Sequence, residues 1–434
     1  MITSEKRKEL IRSFIENLKK EEFIPQFCHN LKSNKSTVYY GGPFYDDEEI
    51  IEVLDTFLFG KWLASGEKVA KFEIEFSRVI NLKHSLMVNS GSSANLVMLA
   101  AFKKHYKLEQ DDEVIISVVG FPTSLAPIIQ CGLTPVFVDI EFATLNFNLD
   151  EVIRHITDKT KAILLSPVLG NPPDMAKLLE ICELRGIHLL VDGCDSLGSK
   201  WDGKNLAEFG ELASCSFYPA HHITTGEGGM VSSNNEELIN LARSFAWWGR
   251  DCYCVGQNNL LKNGTCNCRF KQWIDELPYP IDHKYFYTNV GYNLKPLDLQ
   301  GALGLAQLKK LDQIHNLRKK YKDEIQNILS IINGIRFPTW YPKAEVSWFG
   351  VPVICDSMEI KTKLVNYLEN NRIQTRNYFA GNILVHPGFK EYGNWKEYPN
   401  ANQVLEKVFF IGCSPTMTEE NIEYIRKVVK KYEC

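Results

Sequence analysis

Short apolar runs punctuate the middle of the chain at regular intervals: Val114 to Val118, Pro135 to Asp139, Ala162 to Pro167, His188 to Asp192 and Ser214 to Tyr218. Each has the length of a strand buried on both faces, and helix-length segments such as Met175 to Arg185 lie between them. That alternation predicts an α/β fold, with a large, mostly parallel sheet joined by right-handed crossovers. From about Ala302 the rhythm changes to a long charged helix, Leu308 to Asn327, then a mixed region around Val351 to Ile354 and a closing helix from Thr418 to Tyr432. A smaller C-terminal α+β domain is expected there. The expected divisions are a helical arm over 1–38, a large α/β domain over 39–300 and the small domain over 301–434.

Composition narrows this little. The 434 residues are 44% hydrophobic and 24% charged, with a net charge of -4, so neither a nucleic-acid nor a membrane partner is indicated. Met1 to Lys8 run into a charged amphipathic pattern, and no apolar run approaches the roughly 18 residues of a membrane span, which points to a cytoplasmic protein.

The twelve cysteines change the picture more. In a large reducing-compartment chain they are expected to be thiols, so metal or redox chemistry is the better question than a disulfide framework. Cys28, Cys131, Cys182, Cys215, Cys355, Cys413 and Cys434 are scattered and read as small buried hydrophobes. Cys252, Cys254, Cys266 and Cys268 instead crowd one glycine- and asparagine-rich loop over 252–268.

Three further strips carry chemistry. Met87 to Asn95 runs from an apolar strand into an apolar helix, placing backbone N–H groups and the hydroxyls of Ser92 and Ser93 where a phosphate dianion is favoured; a plain serine cap would also account for it. Leu189 to Gly198 sets Asp192 at the C-terminal end of an apolar strand, where open α/β sheets place ligand groups, with Cys194 and Asp195 just beyond. Ser216 to Gly229 contains Ser216, Tyr218, His221 and His222 ahead of a Gly-Glu-Gly-Gly turn.

In order and context these strips resemble the sugar aminotransferases that use pyridoxal phosphate, from about Tyr40 to Gln307. The resemblance implies an aspartate-aminotransferase-like type I fold. It implies that Ser92, Ser93 and Ser216 hold the cofactor phosphate, Phe121 stacks on the pyridine ring and Asp192 pairs with the ring nitrogen. Asn293, in Gly291 to Lys295, would reach the phosphate of a neighbouring subunit, which implies a homodimer. At position 221 the family carries lysine, whose amine bonds covalently to the cofactor aldehyde; imidazole cannot.

The histidine and the cysteines together resemble one branch of that family, the CDP-4-keto-6-deoxy-D-glucose 3-dehydratases, which carry the same replacement and an iron–sulfur cluster. Here 57 residues separate Cys194 from Cys252, one separates Cys252 from Cys254 and eleven separate Cys254 from Cys266. The branch has seven in the last interval, a difference assigned to an insertion around Asn259 to Asn263. Cys194, Cys252, Cys254 and Cys266 are the implied ligands, with Cys268 in reserve; by ligand type alone, zinc or a [2Fe-2S] cluster would suit. The implied activity is loss of the C3 hydroxyl from a nucleotide-linked 4-keto-6-deoxyhexose on the way to dideoxysugars of surface polysaccharide. Pyridoxamine phosphate would be held without a covalent bond, and a separate NADH-dependent flavin or iron–sulfur reductase would supply electrons. His221, titrating near neutrality, is the expected acid–base group, with Asp195 and Tyr218 assisting. The alternatives are a colitose-type GDP-sugar dehydratase without a cluster, a true aminotransferase and, outside catalysis, an iron–sulfur sensor.

Overall fold

A computed structural model describes residues 3–20, 37–60, 62–252, 269–271 and 273–432. Its large domain is built on seven strands, in chain order β1 (His84–Val88), β2 (Glu113–Ser117), β3 (Thr134–Val138), β4 (Thr160–Leu165), β5 (His188–Asp192), β6 (Leu212–Ser216) and β7 (Gly229–Ser233). Their order across the sheet is β1-β7-β6-β5-β4-β2-β3. The five runs read from the pattern are all strands of this sheet, most of them starting and ending one or two residues earlier than the apolar runs suggest.

From β6 to β3 all neighbours are parallel, whereas β7 runs antiparallel to both β6 and β1. The reversal has a local cause. Between Ser216 and Gly229 the chain forms a compact loop and turns straight back, where the parallel strands are joined by longer crossovers. That loop, at the C-terminal end of the sheet, carries His221.

The small domain holds a second sheet of β8 (Ile335–Arg336), β9 (Gly350–Cys355), β10 (Thr375–Asn377) and β11 (Val408–Gly412), ordered β8-β9-β11-β10 with antiparallel pairs throughout. The expected helix over Leu308 to Asn327 divides differently: one helix, Asp298–Leu308, ends before a second, Leu311–Leu329, begins. The break falls at Lys310, whose ammonium turns inward to the buried carboxylate of Glu49 at 2.6 and 2.8 Å, so the chain corners there. Among the described residues no helix is long and apolar enough to cross a membrane.

Candidate active site

The C-terminal ends of the central strands and the inner edge of the small domain enclose a cleft of about 1050 Å³. One wall is the start of the helix Gly91–Tyr106, directly after β1. Ser90 caps it by accepting a hydrogen bond from the Ser93 amide at 3.1 Å, which leaves Asn89, Ser90, Gly91 and Ser92 facing the cleft. Gly91 lies so close to β6 that a Cβ there would fall 2.4 Å from the Ser216 Cβ and 3.1 Å from the Cys194 Sγ. The result is a narrow backbone cradle at a helix N-terminus with two serine hydroxyls beside it, a fit for a phosphate group. Gly91→Ala is therefore expected to weaken binding of pyridoxal phosphate at least tenfold in a spectral titration and to cost about 1–3 kcal/mol in thermal unfolding.

The floor is Asp192, at the end of β5 and almost wholly buried. Its Oδ2 accepts from the Asn95 amide at 2.8 Å and the Ser124 hydroxyl at 2.6 Å, while its Oδ1 takes the Cys194 N–H at 3.3 Å and the Ser214 hydroxyl at 3.4 Å. Four donors thus fix one carboxylate, which can face a cationic ring nitrogen without reorganising. Above it Phe121 caps the helix Pro122–Gln130 with its ring half exposed, 5.9 Å from Phe379 of the small domain and free to stack on a flat ligand.

His221 occupies the far side. Its amide bonds to the Tyr218 carbonyl at 2.9 Å in a tight turn, and its ring lies 5.3 Å from Phe349, centroid to centroid. The Nδ1 is 3.5 Å from Asp195 Oδ1, a contact longer than a normal hydrogen bond, and has no other partner. Tyr218, half exposed, has its ring 6.0 Å away. Near-neutral titration of the imidazole is not what the surroundings produce: burial, and then the nearby Arg318 guanidinium, push it down to about 3. Burial, and then the charge of Asp192, push Asp195 up to about 7. Both shifts favour uncharged forms, so the pair is a neutral imidazole, weakly basic in this enclosure, beside a carboxyl poised near neutrality.

Of the residues singled out from the sequence, Ser92, Phe121, Asp192, Cys194, Asp195, Ser216, Tyr218 and His221 line this one cleft. Ser93 does not line it; its amide and hydroxyl turn to Ser90. Asn293 lies on an exposed stretch outside the cleft, bridged to Trp247. His222 also points elsewhere, with its Nε2 2.9 Å from the Ser347 carbonyl. Cys194 is partly buried at the sheet end, and desolvation followed by the charge of Asp192 raises its thiol well above the ordinary range. Cys252 is buried with its Sγ 4.0 Å from His283. Cys254, Cys266 and Cys268 lie outside the described residues, and among those described no three Cys, His, Asp or Glu side chains gather as metal ligands.

Several contributors escaped the sequence reading. Asn95, at the end of the serine strip, and Ser124, three residues beyond Phe121, anchor Asp192; a lone amide at the head of an otherwise apolar helical stretch was the available signal. Phe349, Arg376, Phe379 and His386 reach the cleft from the small domain, and Arg376 lies 4.0 Å over the Tyr40 ring.

A two-domain molecule with a mixed seven-stranded sheet and this cleft at its strand ends has the type I fold of the pyridoxal-phosphate aminotransferases. The sequence profile of the DegT/DnrJ/EryC1/StrS aminotransferase family matches residues 45–430, and the chain belongs to that family. It is 38% identical over 400 residues to a dTDP-4-dehydro-2,6-dideoxy-D-glucose 3-dehydratase of Saccharopolyspora spinosa, covering 90% of this chain and 85% of that one. The lipopolysaccharide biosynthesis protein RfbH of Salmonella typhimurium is likewise 38% identical, over 86% of each chain. Among solved structures, the Escherichia coli GDP-4-keto-6-deoxy-D-mannose-3-dehydratase with bound hydrated PLP superposes with a TM-score of 0.79 at 30% identity, over 91% of this chain and 100% of that one.

Proposed function

We propose that the protein is a 3-dehydratase of a nucleotide-linked 4-keto-6-deoxyhexose, CDP-4-keto-6-deoxy-D-glucose, working with pyridoxamine phosphate and a [2Fe-2S] cluster in the synthesis of 3,6-dideoxysugars for surface polysaccharide. One observation carries the reading: His221, paired with Asp195, stands in the cleft, and among the described residues lining that cleft there is no lysine. A transaminase of this fold needs a lysine amine there to release each product and reload the cofactor.

The Gly91 cradle with Ser92 and Ser216 would hold the cofactor phosphate, Phe121 would cover its ring and Asp192 would face its ring nitrogen. When bound, pyridoxamine phosphate supplies an amine that joins the sugar ketone and a ring that accepts electrons. His221 takes a proton at the cofactor's aminomethyl carbon and hands it to the substrate's C3 hydroxyl oxygen, which leaves as water. Asp195, against Nδ1, steadies the imidazolium that forms and leaves Nε2 to do the transfer. Phe349, Phe379 and Phe410 dry the space around these groups, so the proton is not lost to solvent.

Cys194, Cys252, Cys254 and Cys266 would hold the cluster, whose chemistry is single-electron delivery. The two described members are free thiols, and a metal would draw the proton from the partly buried Cys194 thiol. Support for the cluster is the cysteine spacing together with the place of Cys194 at the cofactor floor. The active unit is proposed to be a cytoplasmic homodimer, with Asn293 completing the phosphate site of the second copy; Val290, Tyr292, Leu297 and Trp62 give that region an exposed apolar face. A separate NADH-dependent reductase supplies the electrons.

A second reading, a GDP-sugar dehydratase without a cluster, is favoured by the relative from Yersinia pseudotuberculosis, a GDP-4-keto-6-deoxy-D-mannose 3-dehydratase 32% identical over 89% of this chain. Anaerobic purification, iron and sulfide analysis, and C3 deoxygenation assays with both sugars separate the two. The expected result is iron and sulfide at [2Fe-2S] stoichiometry, lost in Cys194→Ser, with turnover of the CDP sugar. An iron-free protein active on the GDP sugar establishes the second reading. Turnover driven by an amino donor overturns the cluster-dependent reading, and an amino sugar as the product overturns both.

A further inference from the structure

Arg318, on the helix Leu311–Leu329, is the largest fully buried side chain among the described residues, 1% exposed. A buried guanidinium ordinarily meets a carboxylate, because its desolvation is otherwise uncompensated. Among the described residues Arg318 makes no such ion pair. Besides the Cys413 side chain, its donors go to main-chain oxygens: Nη2 to the carbonyls of Ala220 at 2.9 Å and His221 at 2.8 Å, and Nη1 to the carbonyl of Phe349 at 3.1 Å, while Nε has no partner. Its guanidinium carbon also lies 5.7 Å from the centre of the Phe349 ring.

Those three acceptors have one thing in common. Two belong to the turn that carries the imidazole, and the third belongs to the residue whose ring packs on that imidazole. The turn itself is irregular; within it the His221 amide is tied to Tyr218, and the imidazole makes no full hydrogen bond through Nδ1. Something outside the turn must hold it against the small domain. The helix bearing Arg318 lies behind both, and only a planar fork with several N–H groups can span carbonyls from two separate segments.

We infer that Arg318 is the positioning residue of His221: a clamp that fixes the backbone of the catalytic turn and of Phe349 in one piece, so that the imidazole faces its proton donor in a single orientation. The inference rests on His221 being the acid–base group, and the test keeps the two apart. A side chain that only fills the core could be replaced by one of equal length, whereas a clamp cannot be replaced by an ammonium, which lacks the fork.

The experiment uses the full chain labelled at histidine Cε1 with ¹³C and compares wild type, Arg318→Lys, Arg318→Met and His221→Asn. The His221 signal is assigned by its loss in His221→Asn. In the cofactor-free wild type it should be one sharp line from an immobile ring. In both Arg318 variants it should shift or broaden while the signal of exposed His155 stays, and kcat of the loaded enzyme should fall about 10²-fold, with KM within threefold of wild type. An unchanged His221 signal with near-normal kcat in Arg318→Lys overturns the clamp, as do activity losses that merely follow the folded fraction. Should neither variant fold, a wild-type His221 ring that samples several orientations overturns it alone. Elimination retained in His221→Asn overturns instead the assignment of His221 as the acid–base group, on which the inference rests.

Discussion

Exchanging His221 for asparagine is expected to leave cofactor binding near wild type and to slow C3 elimination about 10²–10⁴-fold, or roughly 3–5 kcal/mol in the barrier. Asparagine matches the imidazole in size and polarity, so the turn fixed by the Tyr218 carbonyl and the Arg318 donors persists. What disappears is the basic nitrogen. Burial and Arg318 keep that nitrogen unprotonated at neutrality, so its lone pair is available although they also weaken it as a base, and an amide nitrogen has no such lone pair to offer. The measurement is single-turnover water loss with stoichiometric pyridoxamine phosphate, read beside a spectral titration of the cofactor. Wild-type elimination in the variant would place the base elsewhere in the cleft.

The second large effect is expected at the floor. Asp192→Ala removes a carboxylate held by Asn95, Ser124, Ser214 and the Cys194 amide, and it strands the first two donors in a buried pocket. Stranding a buried polar group costs about 1–3 kcal/mol, so the apo variant should unfold at a lower temperature. Loss of the charge-assisted contact to the cofactor ring should also weaken cofactor binding about 10–100-fold. Asp192→Asn separates the two. Its amide oxygen still accepts from Asn95 or Ser124, so much of the stability returns, but the negative charge does not and neither should cofactor affinity. Equal recovery of both in calorimetry and titration would mean that Asp192 is a structural cap and nothing more.

Those two residues were legible in the sequence because each terminates a recognisable local pattern: Asp192 ends an apolar run and His221 sits in a turn framed by aromatics and glycines. Parallel strands share that virtue, since an apolar run bounded by turn residues needs no distant information. Asn95, Ser124 and Arg318 were hidden for the opposite reason. Their roles depend on partners 97, 68 and 97 positions away, and a buried arginine in a helix with many charged residues looks like any solvated one until the fold closes over it. The reversed strand β7 and the break at Lys310 belong to the same class, because a hairpin-like return and an inward-turned ammonium are settled by tertiary packing. The titration of His221 was misjudged on the same ground: the residue type suggests neutrality, and the enclosure that overrides it comes from Phe349 and Arg318.

The cleft has unequal walls. The residues proposed to meet the cofactor, from the Gly91 cradle to Asp192 and His221, hang from the large domain, while Phe349, Arg376, Asn377, Phe379, His386 and Phe410 belong to the smaller one. A lineage can therefore rewrite one wall to admit a different nucleotide or hexose and leave the reactive wall untouched. Relatives named for dTDP- and GDP-linked sugars on a common scaffold are what such a division of inheritance would leave behind.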